Sequence, residues 1–340
     1  MQQKILIVAQ SWVGDVVMTQ SMLYRIKEIY PDSQLDFLVS TWAMDLVRRI
    51  PEVDNVLENP FAHGQLRLRD RIKFSRNIIA KNRYDKVYVI PNSFKAALIP
   101  WLAKIKTRIG FVGEMRYGVL NHVYKLDKRA LPLMIDRLNY LVAGVKVDLP
   151  RYPKLDIDED NQRDILERFG VSIHDTLVAI CPAAEYGPAK RWSPANYAIL
   201  SLELVKQGAK VLIMGSSKDT EISNEILALS HNNPQIIDLC GKTNLVDVVD
   251  ILGACQYVIS NDSGLMHVAC SVGARVIAIF GSSSPNYTPP LSNTAQIIQH
   301  QLSCSPCFQR KCEFGHYNCL QLIKPQQVLS LIKLNTKQFY

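Results

Sequence analysis

The amino-acid sequence predicts an α/β protein built from two doubly wound parallel-sheet domains. Three observations predict it. At 340 residues the chain is too long for one ordinary core and suits two domains of about 150 residues each. Short β-branched runs alternate with longer amphipathic stretches from end to end, the pattern of parallel sheets covered by helices. Near the midpoint, between about residues 148 and 175, the texture changes: DLPRYPKLDIDED carries two prolines and five acids without sustained periodicity, which reads as a linker. The expected domains are 1–160 and 161–340.

The elements follow in order. In the first half the expected strands are KILIVA (4–9), LDFLVS (35–40), NVLE (55–58), KVYVI (86–90) and TRIGF (107–111). In the second they are TLVAICP (176–182), KVLIMG (210–215), QIIDL (235–239), YVIS (257–260) and ARVIAIF (274–280). Helical patterns lie between them, as at Val16 to Ile29, where Met18, Met22 and Ile26 share a face. Two doubly wound domains facing each other place a ligand cleft at the carboxyl ends of their strands.

Composition excludes several classes. No run of eighteen apolar residues exists, so nothing is expected to span a bilayer as a helix. The sequence opens on a strand where a secretory signal needs a basic flank and an apolar stretch, so a cytoplasmic location is expected. The net charge of +8 is uneven: residues 1–150 hold 23 Lys+Arg against 14 Asp+Glu, and residues 151–340 hold 16 against 17. The first domain therefore suits an acidic partner, with nucleic acid, anionic lipid and a phosphorylated glycolipid all eligible. A solvated surface that only keeps the protein soluble accounts for the charge equally well.

Three strand-end segments carry candidate chemistry. In SWVGDVVMTQS (11–21), Gly14 allows a tight strand-to-helix turn and Asp15 falls at or next to a helix N-cap; an aspartate there is often only a cap. In CPAAEYGPAKRW (181–192), Lys190 and Arg191 lie where cations oppose a helix dipole, so an anion nearby explains them better than stability does. In VISNDSGLMHVACSVG (258–273), Asn261, Asp262 and Ser263 are capable caps, and Gly264 leaves backbone N–H groups open to a phosphate. His267 falls on the first or second turn of that helix, where a lone histidine is more often structural.

Together these segments resemble the ADP-heptose:lipopolysaccharide heptosyltransferases of glycosyltransferase family 9, most of all the type II members. The resemblance runs from residues 11–23 to TPPLS (288–292) and includes PNSFKAALIP (91–100), GEMRYGVLN (113–121), AEYGPAKRW (184–192), GSSKD (215–219) and NDSGLMHVA (261–269). It implies a GT-B fold, two Rossmann-like domains facing a central cleft, with the ADP-heptose donor held by the second and the acceptor by the first. It also implies inversion at the anomeric carbon without a divalent metal or other cofactor. Direct displacement needs one base on the acceptor hydroxyl, and Asp15 matches the family's catalytic aspartate. Lys190 matches the lysine that neutralises the departing diphosphate. Backbone N–H groups around Ser263, Gly264 and Leu265 would hold that diphosphate, Asp262 would contact the heptose, and His267 lies near the same site. Asp219, or Glu221, would bind the ribose as an acid does in dinucleotide folds.

For the acceptor, a Kdo- and heptose-bearing lipid A, the resemblance implies Lys95 and Arg116. The helix-like stretch RLRDRIKFSRN (67–77) adds Arg67, Arg69, Arg71, Lys73 and Arg76. That basic face would also hold the enzyme peripherally against the inner membrane; its alternative is a solvated helix face. Nucleic acid is not expected as a partner. The expected reaction transfers L-glycero-D-manno-heptose to the first heptose of the inner core. The nearest rival is a type I enzyme acting on Kdo. A nucleotide-dependent oxidoreductase would want a GxGxxG that neither first strand is followed by, and a non-catalytic glycolipid binder would not need Asp15, Lys190 and Asp262 together.

Four of eight cysteines, Cys181, Cys240, Cys255 and Cys270, fall in expected core elements and behave there as small hydrophobes. The others, Cys304, Cys307, Cys312 and Cys319, cluster with His316 nearby. They offer a set for a structural zinc ion, or unligated thiols, in neither case catalytic. DIDED (156–160) mimics the DxD motif of metal-dependent glycosyltransferases and reads as solvated charge in the linker.

Overall fold

The computed structural model describes residues 2–62, 64–148 and 150–334. The chain divides into two compact units, Met1–Pro153 and Lys154–Tyr340. The first contains β1 (Lys4–Val8), α1 (Val13–Ile29), β2 (Gln34–Val39), α2 (Met44–Arg48), β3 (Asn55–Glu58), α3 (Leu68–Phe74), β4 (Lys86–Val89), α4 (Phe94–Leu102), β5 (Thr107–Phe111), β6 (His122–Tyr124) and α5 (Met134–Ala143). Its sheet is parallel throughout, in the order β3-β2-β1-β4-β5-β6. β1 sits at the centre because Ile5, Leu6 and Ile7 are all buried, as a strand covered on both faces requires. Leu6, Val8, Val87, Val89 and Ile99 form a core between the sheet and α4.

The second unit contains α6 (Glu159–Arg168), β7 (Leu177–Cys181), α7 (Pro194–Lys206), β8 (Lys210–Ile213), α8 (Thr220–Leu229), β9 (Ile236–Asp238), α9 (Leu245–Ala254), β10 (Tyr257–Asn261), α10 (Gly264–Ser271), β11 (Arg275–Phe280), β12 (Gln296–Gln299), α11 (Asn318–Gln321) and α12 (Pro325–Leu329). Its parallel sheet runs β12-β11-β10-β7-β8-β9. Counted from each unit's own first strand, both orders are 3-2-1-4-5-6, the doubly wound order that leaves a crevice where strand order reverses. The reversal falls between β1 and β4 in the first unit and between β7 and β10 in the second.

All ten expected strands are present, and two more were not expected. β6 and β12 lie at sheet edges and hold no buried residue, so neither carries the apolar run that marks a buried strand.

The boundary between the two units falls inside the acid-rich stretch, and the acids of DIDED are exposed, but the stretch also starts a helix. Asp158 is the N-cap of α6 and accepts from the N–H groups of Asp160 and Asn161 at 3.2 and 3.1 Å. Glu159 and Asp160 occupy the first turn, where carboxylates favour a helix. Gln162, Ile165 and Leu166 are buried as α6 packs on α9. Asp250 of α9 accepts from the Asp158 N–H at 2.9 Å and from Asn161 Nδ2 at 2.6 Å. Among the described residues no helix is long and apolar enough to cross a membrane.

Candidate active site

In the second unit the two strands flanking the reversal, β7 and β10, deliver the two motif loops of that half. β10 ends in Asn261, fully buried, whose side chain joins the loops. Its Oδ1 accepts from the Trp192 N–H at 3.0 Å and the Tyr197 hydroxyl at 3.1 Å, while its Nδ2 donates to the Pro182 carbonyl at 2.7 Å. Sequence reading had Asn261 as one of three possible caps. The structure makes it the residue that fixes segment 182–192 beside the start of α10. No spacing signals this role, because the partners lie more than sixty residues away in the chain.

Lys190 closes a short turn, Pro188–Lys190, before α7. Its Nζ lies 2.5 Å from Oδ2 of Asp262, with the lysine side chain 17% exposed and the aspartate 5%. The pair is thus shielded yet open on the lysine side. Arg191 points elsewhere, donating to the Ala184 carbonyl at 3.2 Å. Ser263 is the N-cap of α10 in extended conformation and places no side-chain cap on the helix. The first-turn N–H groups, including those of Gly264 and Leu265, thus receive no cap from the Ser263 side chain at the positive end of the helix dipole. An anion suits that position.

His267 is the fourth residue of α10 and is buried. Burial pushes its imidazole down to about 4; Asp262 raises it and Lys190 lowers it further. The ring is neutral at pH 7, and its Nδ1 has no hydrogen-bond partner among the described residues. Asp219 ends the turn Ser217–Asp219, and its Oδ2 accepts from the Ser216 N–H at 2.9 Å and the Ser216 hydroxyl at 2.7 Å. That oxygen is engaged in shaping its own loop. Glu221 lies in the first turn of α8 and is exposed.

In the first unit, α1 starts three residues earlier than the sequence pattern indicated. Trp12 is the N-cap, so Gly14 is helical and buried rather than part of a tight turn, and Asp15 is the third helical residue. A carboxylate in the first turn still meets the favourable end of the dipole. The Asp15 carbonyl accepts from the Thr19 hydroxyl at 2.7 Å, and its side chain is partly exposed just beyond the carboxyl end of β1.

The expected acceptor residues separate into two kinds. Arg116 is 1% exposed, and its guanidinium donates to the carbonyls of Pro91, Ser93 and Phe111 and to Asn92 Oδ1. Burial lowers it to about 10. Arg71 is likewise buried, donating to the carbonyls of Gln65, Leu66 and Lys95 and lying 4.1 Å from the Phe61 ring centre. These two arginines hold loops together, which corrects their expected place on an acceptor-facing surface. Each offers several donors in a fixed fork; in Arg116 the two terminal nitrogens are engaged, while the buried Nε has no hydrogen-bond partner among the described residues. Lys95 is half-buried, with Nζ on the Gly64 carbonyl at 2.8 Å. Arg67 is exposed and paired with Asp70 at 2.8 Å. Arg67, Lys73, Phe61, Phe74 and Ile78 line an open groove of about 410 Å³, and Arg69 and Arg76 are exposed nearby in the chain.

Cys181, Cys240, Cys255 and Cys270 are buried free thiols, and burial raises each of them. Cys304, Cys307, Cys312 and Cys319 line one cavity of about 30 Å³ together with Ala189 and Ser282. Among the described residues, however, no three His, Cys, Asp or Glu side chains are arranged to hold a metal ion. The Cys312 sulfur is instead surrounded by the backbone N–H groups of Tyr317, Phe314, Gly315 and His316, which lower its pKa.

A family model for glycosyltransferase family 9 (heptosyltransferase) matches residues 71–318, spanning both units and the Lys190, Asp262 and His267 site. The chain belongs to glycosyltransferase family 9. It is similar to lipopolysaccharide heptosyltransferase 2 of Escherichia coli K12, with 39% identity over 96% of each chain. It is also 38% identical to lipooligosaccharide heptosyltransferase 2 of Haemophilus ducreyi over 87% of this chain and 88% of that one. The solved structure of E. coli ADP-heptose lps heptosyltransferase II superimposes with a TM-score of 0.87 and 37% identity, covering 97% of both chains. This family 9 member therefore has the GT-B-type architecture expected from its sequence and is a glycosyltransferase.

Proposed function

We propose that this family 9 enzyme transfers L-glycero-D-manno-heptose from ADP-heptose to the first heptose of the lipopolysaccharide inner core, with inversion. The reading is carried by near-complete alignment, at 39% identity over 96% of each chain, with a lipopolysaccharide heptosyltransferase 2. The site chemistry supports it. A nucleoside diphosphate leaves with growing negative charge, and Lys190 at the uncapped start of α10 supplies positive charge and backbone donors where a metal would otherwise act. On donor binding, the Lys190 ammonium turns from Asp262 to the diphosphate, and Asp262 accepts hydrogen bonds from heptose hydroxyls. His267 stays neutral and offers its ring nitrogens as neutral partners. Asp15 takes the proton of the acceptor hydroxyl.

Lys95, Arg67, Arg69, Lys73 and Arg76 meet the Kdo carboxylates and lipid A phosphates of the acceptor. The same face rests on the anionic inner surface of the inner membrane, at about 1 kcal/mol per basic residue near that surface. Asp219 or Glu221 contacts the ADP ribose, Asp219 through the oxygen not engaged by Ser216. The test is to incubate purified protein with ADP-heptose and a graded set of truncated core acceptors, with and without EDTA. Released ADP and a mass gain of one heptose on the singly heptosylated core are expected, undiminished by EDTA. Transfer only to a Kdo-terminated acceptor would replace the type II reading with type I, and a strict magnesium requirement would remove the lysine-for-metal argument.

A further inference from the structure

We infer that Tyr186 is a positioning residue for Lys190, holding its ammonium on the ring face and anchoring the loop to segment 304–319. The inference rests on the role of Lys190 proposed above. The Lys190 Nζ lies 4.9 Å from the centre of the Tyr186 ring, and the Arg310 guanidinium lies 5.3 Å from the same centre. At its other end, the Tyr186 hydroxyl donates to the Phe308 carbonyl.

The backbone beside Lys190 is gripped by the same segment and its neighbour. The Ala189 N–H donates to the Arg310 carbonyl at 3.1 Å, and the Ala189 carbonyl accepts from the Ser282 N–H at 3.3 Å. The Ser282 carbonyl in turn accepts from the Phe308 N–H at 2.7 Å. Gly187 lets this contact form: at φ 151°, a Cβ there would fall 2.5 Å from the Arg310 carbonyl oxygen.

A lysine ammonium rides on a flexible four-carbon stem and loses that freedom only where something confines it. In the structure Asp262 confines it. Once Asp262 turns to the sugar, the neutral ring face remains as the constraint. A ring attracts the cation without competing for the diphosphate or taking its proton. Arg310, on the same ring, repels the ammonium and biases it toward added negative charge.

The test measures turnover with ADP-heptose and core acceptor for wild type, Y186F, Y186L, K190M and Y186L/K190M, alongside thermal midpoints. Y186L is expected to lower kcat about ten-fold with the donor KM changed less than about two-fold. Y186F, which keeps the ring, should stay within about three-fold of wild type. In the K190M background Y186L should cost nothing further, because the two residues act as one unit. Full turnover in Y186L, or an undiminished ten-fold cost in the K190M background, would overturn the inference. A loss that tracks the thermal midpoint would do the same. Y186M serves the same comparison should Y186L not fold. The proposed function fails separately, by absence of ADP release from the wild-type protein.

Discussion

Replacing Lys190 with Met separates two jobs that one residue performs. Its ammonium lies 2.5 Å from an Asp262 carboxylate that is only 5% exposed. At an effective dielectric of about 20, charges that close attract by roughly 7 kcal/mol, most of it offset by the water both groups give up. K190M removes the attraction but leaves the carboxylate buried, the situation in which breaking a buried pair costs about 3–5 kcal/mol. Because the lysine side is 17% exposed, water reaches the orphaned carboxylate and the lower figure, about 3 kcal/mol, is expected. Turnover should fall at least about 100-fold, since the leaving diphosphate loses its counter-charge. K190M/D262N carries no orphaned charge and should regain most of the stability while remaining as inactive as K190M. Urea unfolding reads the first quantity and ADP release the second. If activity returned with stability in the double variant, Lys190 would be a structural residue and the leaving-group argument would fail.

Other expectations follow from single observations. Asp15→Asn should lower kcat about 100-fold or more while calorimetric ADP binding stays near wild type; equal loss of both would place Asp15 in donor binding. Arg116→Ala, which orphans the carbonyls of Pro91, Ser93 and Phe111, should destabilise by about 3 kcal/mol or more. An unchanged urea midpoint with a raised acceptor KM would return Arg116 to the acceptor surface. His267 titrates near 6.5 when unfolded and about 4 when folded, so the unfolded chain binds the extra proton between those values and stability falls on acidification through that window. His267→Gln should flatten the thermal-midpoint profile between pH 6.5 and 4, and a profile identical to wild type would show that the imidazole does not titrate as its burial requires.

How much of the site was legible follows from the physics of each residue. Lys190 could be singled out because a cation before a helix departs from what stability alone favours, and Asp262 and Ser263 because cap-type residues followed by glycine mark a helix start open to a phosphate. Arg116 and Arg71 misled, since exposed and buried arginines look alike in sequence and only their carbonyl partners distinguish them. Asn261 could be read only as a possible helix cap, and Tyr186 gave no signal. The hydrogen-bond partners that anchor them lie 64 to 122 residues away.

The sequence by itself determined the local matters: ten of the strands, the alternation that makes both sheets parallel, and the motif segments placed after β1, β4, β7 and β10. These are set by side-chain periodicity and by what each backbone turn tolerates. Tertiary structure alone decided which charges are spent inside the protein. It gave Arg116 to four loop acceptors, Lys190 to Asp262 and Asn161 to Asp250. A charge or amide finds its partner in three dimensions, and one chain carries no record of that pairing until it folds.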